Sequence, residues 1–600
     1  MTSAISKVAA IVIVVILLII ASVGAYAILS QPKATSSNNT TSSSQPLSTT
    51  TTSVSSPGTS SSTSPISTSS SSTSSSFTSS LTSSSQQQSS QGPKYGGTLI
   101  ADETFEPGNI DPSTTNTVAG LAIDANVLDT LVTYNWTTKT IIPRLATGWN
   151  VSSDGLSYTF TLRQGVHFVD PTTNATTTEF NATDVQYTWN RVLGQANGYV
   201  FQTAGLNMST FKIINPFTFS VNLSAPFSAF LPTVADYLNA IVSSTADMAH
   251  GGIQNGTVNS WAESNLVGTG PYMMTQWVKG DHITLVRNPY YWGAKPYLDK
   301  VIVYYKNDPS TRLLDIKGGA VQIANIDPNL LSQLQGSSNI IVRTIGLSDN
   351  IAPIGFNVHR FPTDNLDVRL AIAHAINYTF IDQSIFGGYA ISFAGPFPKG
   401  MFGYNDSIAP YQYNLTLAQS EMAAAGLANG QFSNGTAIPP IDFVYPFDWP
   451  SGALVAGAIQ SDLSAIGLQV NIEGATSVTF GDITSLNFTD PGRPQMLAYF
   501  WTPDYNDPAD YATPSAAYSW NGGFSNLTIE ALGSQALHTF NQTERAQLYS
   551  RIQMLTMASA PVVWTYQYVG YAVYQSNVNG LIYNPLLDGY GFEYQTVWMS

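Results

Sequence analysis

The sequence contains no cysteine. Disulfide bonds, thiolate nucleophiles, cysteine-ligated zinc and cysteine-held iron–sulfur clusters are therefore all excluded. Lipid anchoring of the bacterial lipoprotein type also uses a cysteine, so any membrane tether in this chain must be a segment of the polypeptide itself.

Charged residues are scarce as well. They make up 10% of the chain, against roughly 25% in an ordinary soluble domain. The 22 Lys and Arg against 37 Asp and Glu leave a net charge of −15, and no polybasic segment is available to bind nucleic acid. Full protonation in acid would give at most the 22 basic residues plus 6 His, so charge repulsion at low pH stays small. We therefore hypothesise that the protein works in an acidic exterior.

Catalytic and cofactor motifs are also missing. The 6 His never take the H-x-x-x-H spacing of a zinc-binding helix. No G-x-S-x-G nucleophile elbow, G-x-G-x-x-G fingerprint or P-loop occurs. We therefore predict no enzyme activity, no cofactor and no metal. Paired carboxylates that meet only in the fold leave a secreted glycosidase as an alternative.

One long hydrophobic run stands near the N-terminus. Residues 8–29 are apolar at all but three positions, and as a helix they would be about 33 Å long, enough to cross a hydrocarbon core of roughly 30 Å. Ala25-Tyr26-Ala27 also has the form of a signal-peptide cleavage site. The length favours a retained single-pass transmembrane anchor over a cleaved signal. Both interpretations place the rest of the chain outside the cell.

A Ser- and Thr-rich segment, residues 30–94, follows the hydrophobic run. Its few apolar side chains cannot offset the entropy of ordering, so we predict a disordered stalk that lifts a globular head off the membrane. N-x-S/T sequons recur from Asn135 to Asn541 and are compatible with a glycosylated exterior protein. A surface-layer structural protein would share these features and stays open as an alternative.

Beyond the stalk, strand-like and helical patterns alternate. Tyr158–Leu162 and Phe217–Leu223 alternate apolar and polar residues with period two, which predicts strands. Asp154-Gly155 predicts a type I′ hairpin turn before the first of them. Ala418–Gly426 and Leu454–Ile466 have helical patterns. Mixed elements along the whole length predict an α/β head.

A series of short segments resembles the extracellular solute-binding protein family 5, the oligopeptide- and dipeptide-binding proteins, in the order that the family shows. Asp154–Phe168 is the most specific of them, and the glycines of Gly268–Tyr272 predict a tight crossover between lobes. The series consists of Gly96–Leu99, Asn109–Pro112, Pro143–Trp149, Asp154–Phe168, Phe180–Val185, Gly268–Tyr272, Arg287–Trp292, Phe356–Asn357 and Asp367–Asn377. One such segment is weakly specific, but so many in order make coincidence implausible.

The resemblance implies a two-lobed periplasmic-binding-protein fold of class II with an extra subdomain in the first lobe. It assigns residues 95–131, 268–346 and 570–600 to the first lobe, residues 132–267 to the inserted subdomain and residues 347–569 to the second lobe. In this family the lobes close over a ligand about a hinge, and the closed protein delivers the ligand to the permease subunits of an ABC importer. We expect the archaeal-type form, a monomeric extracellular head anchored to the cell membrane.

The resemblance also points to a ligand-binding segment, Trp501-Thr502-Pro503-Asp504-Tyr505-Asn506-Asp507-Pro508, which looks like the family's W-x-x-D-Y-x-D-P stretch. By that match, Asp504 accepts a charge-assisted hydrogen bond from the α-ammonium group of a peptide. Trp501 would line the same cleft, with Tyr505 and Trp449 as further ligand-facing aromatic residues. In the purely structural alternative, Asp507-Pro508 is a turn and Trp501 a core residue.

One departure from the family bears on the ligand. Dipeptide-selective relatives have an Arg before the helix that corresponds to Leu454–Ile466, where it binds the C-terminal carboxylate of the ligand. Here that stretch, Tyr445–Pro450, has no Arg or Lys. We therefore expect an oligopeptide held along its backbone rather than a dipeptide. An oligosaccharide stacked on Trp449, Trp501 and Tyr505 is the alternative ligand.

Overall fold

The structure is a computed structural model that describes residues 92–115, 117–253, 257–447, 449, 451–512, 522–587 and 591–600. The predicted transmembrane anchor at residues 8–29 and nearly all of the predicted stalk lie outside these residues. None of the helices in the described part of the chain combines the length and the apolar character that crossing a membrane requires.

The secondary structure is mixed throughout, as the sequence patterns predict. The strands are β1 (Thr98–Glu103), β2 (Val132–Asn135), β3 (Thr140–Pro143), β4 (Ala146–Val151), β5 (Ser157–Leu162), β6 (His167–Asp170), β7 (Ala175–Glu179), β8 (Leu206–Asn215), β9 (Thr218–Leu223), β10 (Tyr272–Val278), β11 (His282–Arg287), β12 (Lys300–Tyr305), β13 (Ile323–Ala324), β14 (Ile340–Phe356), β15 (Ala390–Ile391), β16 (Ile441–Pro446), β17 (Val470–Ala475), β18 (Met496–Ala498), β19 (Val562–Gln575), β20 (Val578–Asn579) and β21 (Trp598–Met599). The α-helices are α1 (Val118–Val127), α2 (Ala182–Leu193), α3 (Gly198–Thr203), α4 (Phe230–Ala235), α5 (Ser244–Ala249), α6 (Pro309–Gly318), α7 (Leu366–Ala375), α8 (Tyr378–Phe380), α9 (Leu415–Ala424), α10 (Gly452–Ser464), α11 (Ser477–Ser485), α12 (Ala509–Ala512), α13 (Leu527–Leu537) and α14 (Gln542–Ser559).

A large mixed sheet runs through the molecule. Its strands lie in the order β10-β11-β12-β1-β13-β19-β14-β18-β16-β17, and β15 also pairs with β19. Strand β1 is parallel to β12, and β16 is parallel to both β17 and β18, whereas β14 and β19 are antiparallel. Strands from the beginning, middle and end of the chain therefore share one sheet.

Strands β14 and β19 connect the two halves of this sheet. Their ladder extends from the pair Ile340–Gln575 to the pair Gly355–Val562. The register shifts three times within it, all between Thr344 and Pro353. Each irregularity bends and twists the ladder locally, so the two halves of the sheet meet at a bent double strand.

Apolar cores pack around this double strand. One core contains Leu99 and Ile283 together with Tyr574 of β19. The largest contains Ile372 of α7 and Trp564 of β19. Another is built on the sheet β4-β5-β9-β8, and its buried residues lie between residues 131 and 241 except for Tyr505 and Ala509. The division into two lobes and an inserted subdomain, with its boundaries, stays a prediction.

The period-two patterns in the inserted region do form strands, as predicted. Strands β5 and β9 both bury every second residue. Phe160 of β5 lies opposite Phe219 of β9, with ring centroids 5.2 Å apart, and the edge of the fully buried Trp189 from α2 packs against both rings. The alternation thus places aromatic side chains on the one face that α2 covers.

The turn before β5 differs from the predicted type I′ hairpin. That turn type needs a positive φ at both central residues, but only Gly155, at +72°, has one here. The Gly155 N–H donates to the Ser152 carbonyl at 2.9 Å. A Cβ on Gly155 would also lie 2.4 Å from the ring of Phe540, so both the backbone angle and this close approach require glycine.

The crossover at Gly268–Tyr272 needs its glycines for a different reason from the one predicted. Neither Gly268 nor Gly270 has a positive φ. A Cβ on Gly268 would lie 1.9 Å from the carbonyl oxygen of Val127, and the Gly270 N–H donates to that same oxygen at 2.9 Å. Close backbone approach, rather than an unusual dihedral angle, therefore excludes a side chain here.

Several sequon asparagines have a structural role as helix N-caps. The side-chain oxygens of Asn181, Asn414, Asn526 and Asn541 each accept a hydrogen bond from a backbone N–H in the first turn of the helix that follows. Asparagine is among the preferred N-cap residues, so helix capping accounts for these positions without any sugar. Glycosylation stays a prediction.

Several carboxyl groups are buried with little compensation. Burial raises the pKa of Glu103 to about 8 and that of Asp382 to about 6. Asp124 is fully buried with both side-chain oxygens lacking a hydrogen-bond partner, and burial raises its pKa well above the ordinary value. In each case the folded protein holds a proton more tightly than the unfolded chain does.

Because of these raised pKa values, we predict that the folded state is more stable in mild acid than at higher pH. When a carboxyl group has a higher pKa in the folded state than in the unfolded chain, the folded protein loses stability as the pH rises. The loss begins near the pKa of the unfolded chain, about 4, and continues through the pKa of the folded state. We expect the melting temperature of the protein to be several degrees higher at pH 4.5 than at pH 8, and Glu103→Gln to reduce the difference. A melting temperature that rises steadily from pH 4.5 to pH 8 would contradict this assignment.

Candidate functional site

A cavity of about 750 Å³ opens beside the middle of strand β19. Its walls come from the segment after β1, the start of α1, the segment after β18 and β19 itself. The lining residues are Thr104, Phe105, Glu106, Thr115, Thr117, Val118, Ala119, Leu121, Asn197, Tyr199, Leu238, Ala324, Asn325, Asp327, Pro328, Phe386, Pro446, Trp449, Ser451, Phe500, Trp501, Thr502, Pro503, Asp504, Tyr568, Val569, Gly570, Tyr571, Ala572, Val573 and Phe592. The cavity therefore lies where the bent double strand passes between the cores.

The backbone of Trp501 is held against β14. Its N–H donates to the Ile351 carbonyl at 2.9 Å, and its own carbonyl accepts from the Ile351 N–H at 3.1 Å. This single bridge falls at one of the register shifts of β14. The bridge fixes the direction of the segment that follows β18, so that residues 500–504 form one wall of the cavity.

Asp504 contributes a carboxylate to this wall. It is partly buried, and no Lys or Arg forms an ion pair with it in the described residues. Burial raises the pKa of Asp504 to about 6, although a hydrogen bond from the Tyr199 side chain lowers that pKa in part. Tyr199 belongs to α3 and also lines the cavity, so this hydrogen bond joins the inserted region to the segment after β18.

A second carboxyl group, that of Asp510, lies behind Asp504. The backbone N–H of Asp504 donates to Asp510 Oδ2 at 2.9 Å. Burial, followed by the charge of Asp504, raises the pKa of Asp510 well above its ordinary value, and a hydrogen bond from the Trp501 side chain lowers it in part. Of the two carboxyl groups, Asp510 is the more deeply buried, and its position behind Asp504 leaves Asp504 as the one that lines the cavity.

Asp507 supports the segment from the side away from the cavity. Its carboxylate binds the guanidinium of Arg545 on α14, with Nη1 2.9 Å from Oδ2, and both side chains are buried. It also accepts from the Ala509 N–H at 2.9 Å at the start of α12. The Asp507-Pro508 turn expected from the structural alternative is thus an ion-paired helix start.

Trp449 reaches the cavity from the other side of the site. It is mostly buried, and its ring lies nearly parallel to that of Tyr566, with centroids 6.2 Å apart. Its Nε1 donates to the hydroxyl of Tyr568 at 3.2 Å. Both Trp449 and Tyr568 line the cavity, so Trp449 belongs both to the apolar core and to the cavity wall.

Residues 140–523 match the profile of the bacterial extracellular solute-binding proteins, family 5 Middle. This chain belongs to that family. The family consists of solute-binding proteins rather than enzymes, in agreement with the absence of catalytic motifs from the sequence.

The family-5 protein has curated relatives of similar length. It is 28% identical over 493 residues to the dipeptide-binding protein of Escherichia coli, which covers 78% of this chain and 89% of that one. It is 27% identical over 483 residues to heme-binding protein A of Haemophilus influenzae, and the match covers 77% of this chain and 86% of that one.

A solved structure confirms the fold. The ABC transporter-associated periplasmic binding protein DppA from Helicobacter pylori, in complex with peptide STSA, is 27% identical and superposes with a TM-score of 0.71 over 84% of this chain and 98% of that one. The family-5 protein therefore has the two-domain α/β fold of periplasmic binding proteins.

Of the four residues predicted to face the ligand, three line the cavity of the family-5 protein and one does not. Trp449, Trp501 and Asp504 are in the lining. Tyr505 is 3% exposed and packs in the core of the inserted region, with its ring edge-on to that of Phe227 at 6.5 Å. The chain bends at Asp504 and Tyr505, so the side chain of Asp504 lines the cavity while that of Tyr505 packs in this core.

Sequence reasoning missed several lining residues. Tyr199 lies in a short helix that matches no motif, so nothing in the sequence marked it. Tyr568 and Tyr571 belong to β19, whose aromatic residues Trp564, Tyr566 and Tyr568 recur at every second position. That alternation is typical of a strand with an aromatic face and could have identified Tyr568.

Tyr505 is predicted to stabilise the fold rather than the ligand complex. Truncating a buried aromatic residue typically costs about 3–5 kcal/mol of unfolding free energy. We expect Tyr505→Ala to lower the free energy of unfolding, measured in urea, by that amount. Tyr413→Ala, at a residue that is 49% exposed, serves as the matched control and should change it by less than about 0.5 kcal/mol. An unchanged unfolding curve for Tyr505→Ala would show that Tyr505 does not pack in the core.

Proposed function

We propose that this protein is the substrate-binding component of an ABC importer and that it takes oligopeptides into the cavity beside β19. In this proposal Asp504 accepts the α-ammonium group of the peptide, and Trp501 and Trp449 contribute apolar walls. The bent double strand β14–β19 serves as the hinge about which the lobes close.

The observation that carries the proposal is the state of Asp504. It is a partly buried carboxylate at a cavity wall, without an ion-pair partner in the described residues. A charge in such a place is costly unless it is paired. A ligand ammonium group supplies the missing partner through a charge-assisted hydrogen bond.

The size of the cavity and the relatives agree with a small organic ligand. Ligand sites typically have volumes of roughly 300–1,000 Å³, and this cavity has about 750 Å³. The Escherichia coli relative is a dipeptide-binding protein, and the Helicobacter pylori structure holds a peptide. A peptide carries an α-ammonium group, which can serve as the ion-pair partner of Asp504.

The other candidate ligands and functions are less well supported. A neutral oligosaccharide would leave the charge of Asp504 unpaired, and the ring of Trp449 already packs beside that of Tyr566. Heme, after which the Haemophilus influenzae relative is named, carries carboxylates and commonly takes a histidine ligand, whereas no His, Lys or Arg is among the lining residues described. A surface-layer protein or a glycosidase has no support from the family.

We further propose the membrane-anchored form of such a protein. Residues 8–29 would anchor it, residues 30–94 would form the stalk, and the head would be extracellular and monomeric. The first lobe would comprise residues 95–131, 268–346 and 570–600, with residues 132–267 inserted in it and residues 347–569 as the second lobe. The length and apolar character of residues 8–29 support the anchor.

Removing the charge of Asp504 should weaken peptide binding. Hydrogen bonds to charged groups contribute about 1.5–3 kcal/mol, so we expect Asp504→Asn to raise the Kd for a mixture of tri- to pentapeptides by roughly 10- to 100-fold. Titration followed by tryptophan fluorescence is suitable because Trp449 and Trp501 line the cavity. Asp482→Asn, at an exposed residue of α11, is the matched control. Equal Kd values for Asp504→Asn and the parent protein would remove the basis of the proposal.

Peptide binding should also weaken in acid. Asp504 has a pKa raised to about 6, and only its ionised form pairs with an ammonium group, which stays protonated over this range. We expect the Kd to rise about tenfold between pH 7 and pH 5, because the ionised fraction falls by that factor. Calorimetric titrations at both pH values test this, and the Asp504→Asn variant should show no such change. A Kd independent of pH in the parent protein would be the contrary result.

A further inference from the structure

The charges around the cavity are of one sign. Its lining includes the acidic residues Glu106, Asp327 and Asp504 but no Lys, Arg or His among the described residues. Beyond residue 91, the positions outside the description contain no Lys, Arg or His either. The sequence therefore offers no further cation in the head that could complete the site.

Asp327 is already neutralised by the cation nearest to it. Nη2 of Arg312 lies 2.7 Å from its Oδ1. Nε donates to the carbonyl of Asn325 and Nη1 to the carbonyls of Lys306 and Asn307, and the side chain is fully buried. Arg312 is therefore held in place below the surface and does not line the cavity.

Glu106 and Asp504 carry the charges that remain. Glu106 is held in place, since its carboxylate accepts from Trp277 Nε1 at 2.7 Å and from the Gly280 N–H at 2.9 Å, but it forms no ion pair in the described residues. Lys279 acts on Glu106 through its charge without forming an ion pair, and its side chain is exposed and lies over the ring of Trp277. The cavity thus has two fixed negative groups on different segments of the chain.

We propose that this cavity selects ligands with a net positive charge and admits no free carboxylate: basic peptides whose C-terminal carboxylate is neutralised or lies outside the cavity. This inference rests on the proposed function and narrows its substrate class. A second positive group on the ligand, such as a lysine or arginine side chain, would face Glu106 while the α-ammonium group faces Asp504. A carboxylate inside the cavity would lose its water and find two negative charges and no cation.

Charge-matched peptides test this selectivity directly. The probes are Lys-Phe-Ala as the free acid, the same peptide as its C-terminal amide, and Glu-Phe-Ala amide. Calorimetry at pH 7.5 with the whole protein should give a Kd at least tenfold lower for Lys-Phe-Ala amide than for either of the other two. Raising the salt concentration should reduce both differences, because salt screens partly exposed charges.

Variants separate the contribution of Glu106 from the fold. Glu106→Gln should at least halve the preference for Lys-Phe-Ala amide over Glu-Phe-Ala amide and leave the melting temperature within a few degrees, since glutamine preserves an acceptor for Trp277 Nε1. Asp482→Asn should change neither quantity. An unchanged preference in Glu106→Gln would exclude Glu106 from the selection.

The outcomes distinguish the two proposals. If the free acid binds as tightly as the amide, or the Glu peptide as tightly as the Lys peptide, the charge selectivity is overturned and the peptide-binding function stands. If no peptide binds at any accessible concentration, both the proposed peptide-binding function and the charge selectivity that rests on it are wrong.

Discussion

The antiparallel pairing of β14 with β19 is the interaction on which the remaining structure depends. These two strands are the only neighbours that connect the β1 side of the large sheet to the β16 side among the described residues. Their outer ends lie in separate apolar cores, and the register shift between Leu347 and Ile351 falls where β14 passes from one core to the other. The cavity lies at the same level, lined by Tyr568–Val573 of β19. This double strand is therefore where the proposed hinge would act.

Much of this fold could be predicted from local sequence patterns. The alternating segments around Phe160 and Phe219 form strands because one face of their sheet is buried under α2, and period-two patterns report that condition directly. The helix predicted at Leu454–Ile466 is present as Gly452–Ser464. The glycines were recognised as special, but at Gly268 the reason for glycine is the carbonyl oxygen of Val127, a contact between segments far apart in sequence that no local pattern reveals.

The site was predictable only where a motif and a cavity coincide. Asp504 and Trp501 stand in a segment that resembles the family, and both line the cavity. Tyr505 stands in the same segment and packs in a core instead, because membership of a motif does not specify the direction in which a side chain points. Tyr199 and Glu106 come from other parts of the chain, and only the tertiary structure brings them to the same cavity.

Scarcity of basic residues links the composition to the site. With 22 Lys and Arg in 600 residues, most buried cations are engaged in fixed ion pairs, such as Arg545 with Asp507 and Arg191 with Asp111 and Asp247. None is left at the cavity wall in the described residues, and several buried carboxyls have raised pKa values. The same composition that limits charge repulsion in acid therefore gives a ligand site of uniformly negative character.

The measurement that tests the central claim most directly is native mass spectrometry of the protein purified gently from its own source, before any ligand is added. The account predicts a retained small molecule that fragments as amino acids and is absent from the Asp504→Asn variant. A retained hexose series that is unaffected by Asp504→Asn would contradict it, and would identify the cavity as a sugar site whose aromatic residues do the binding.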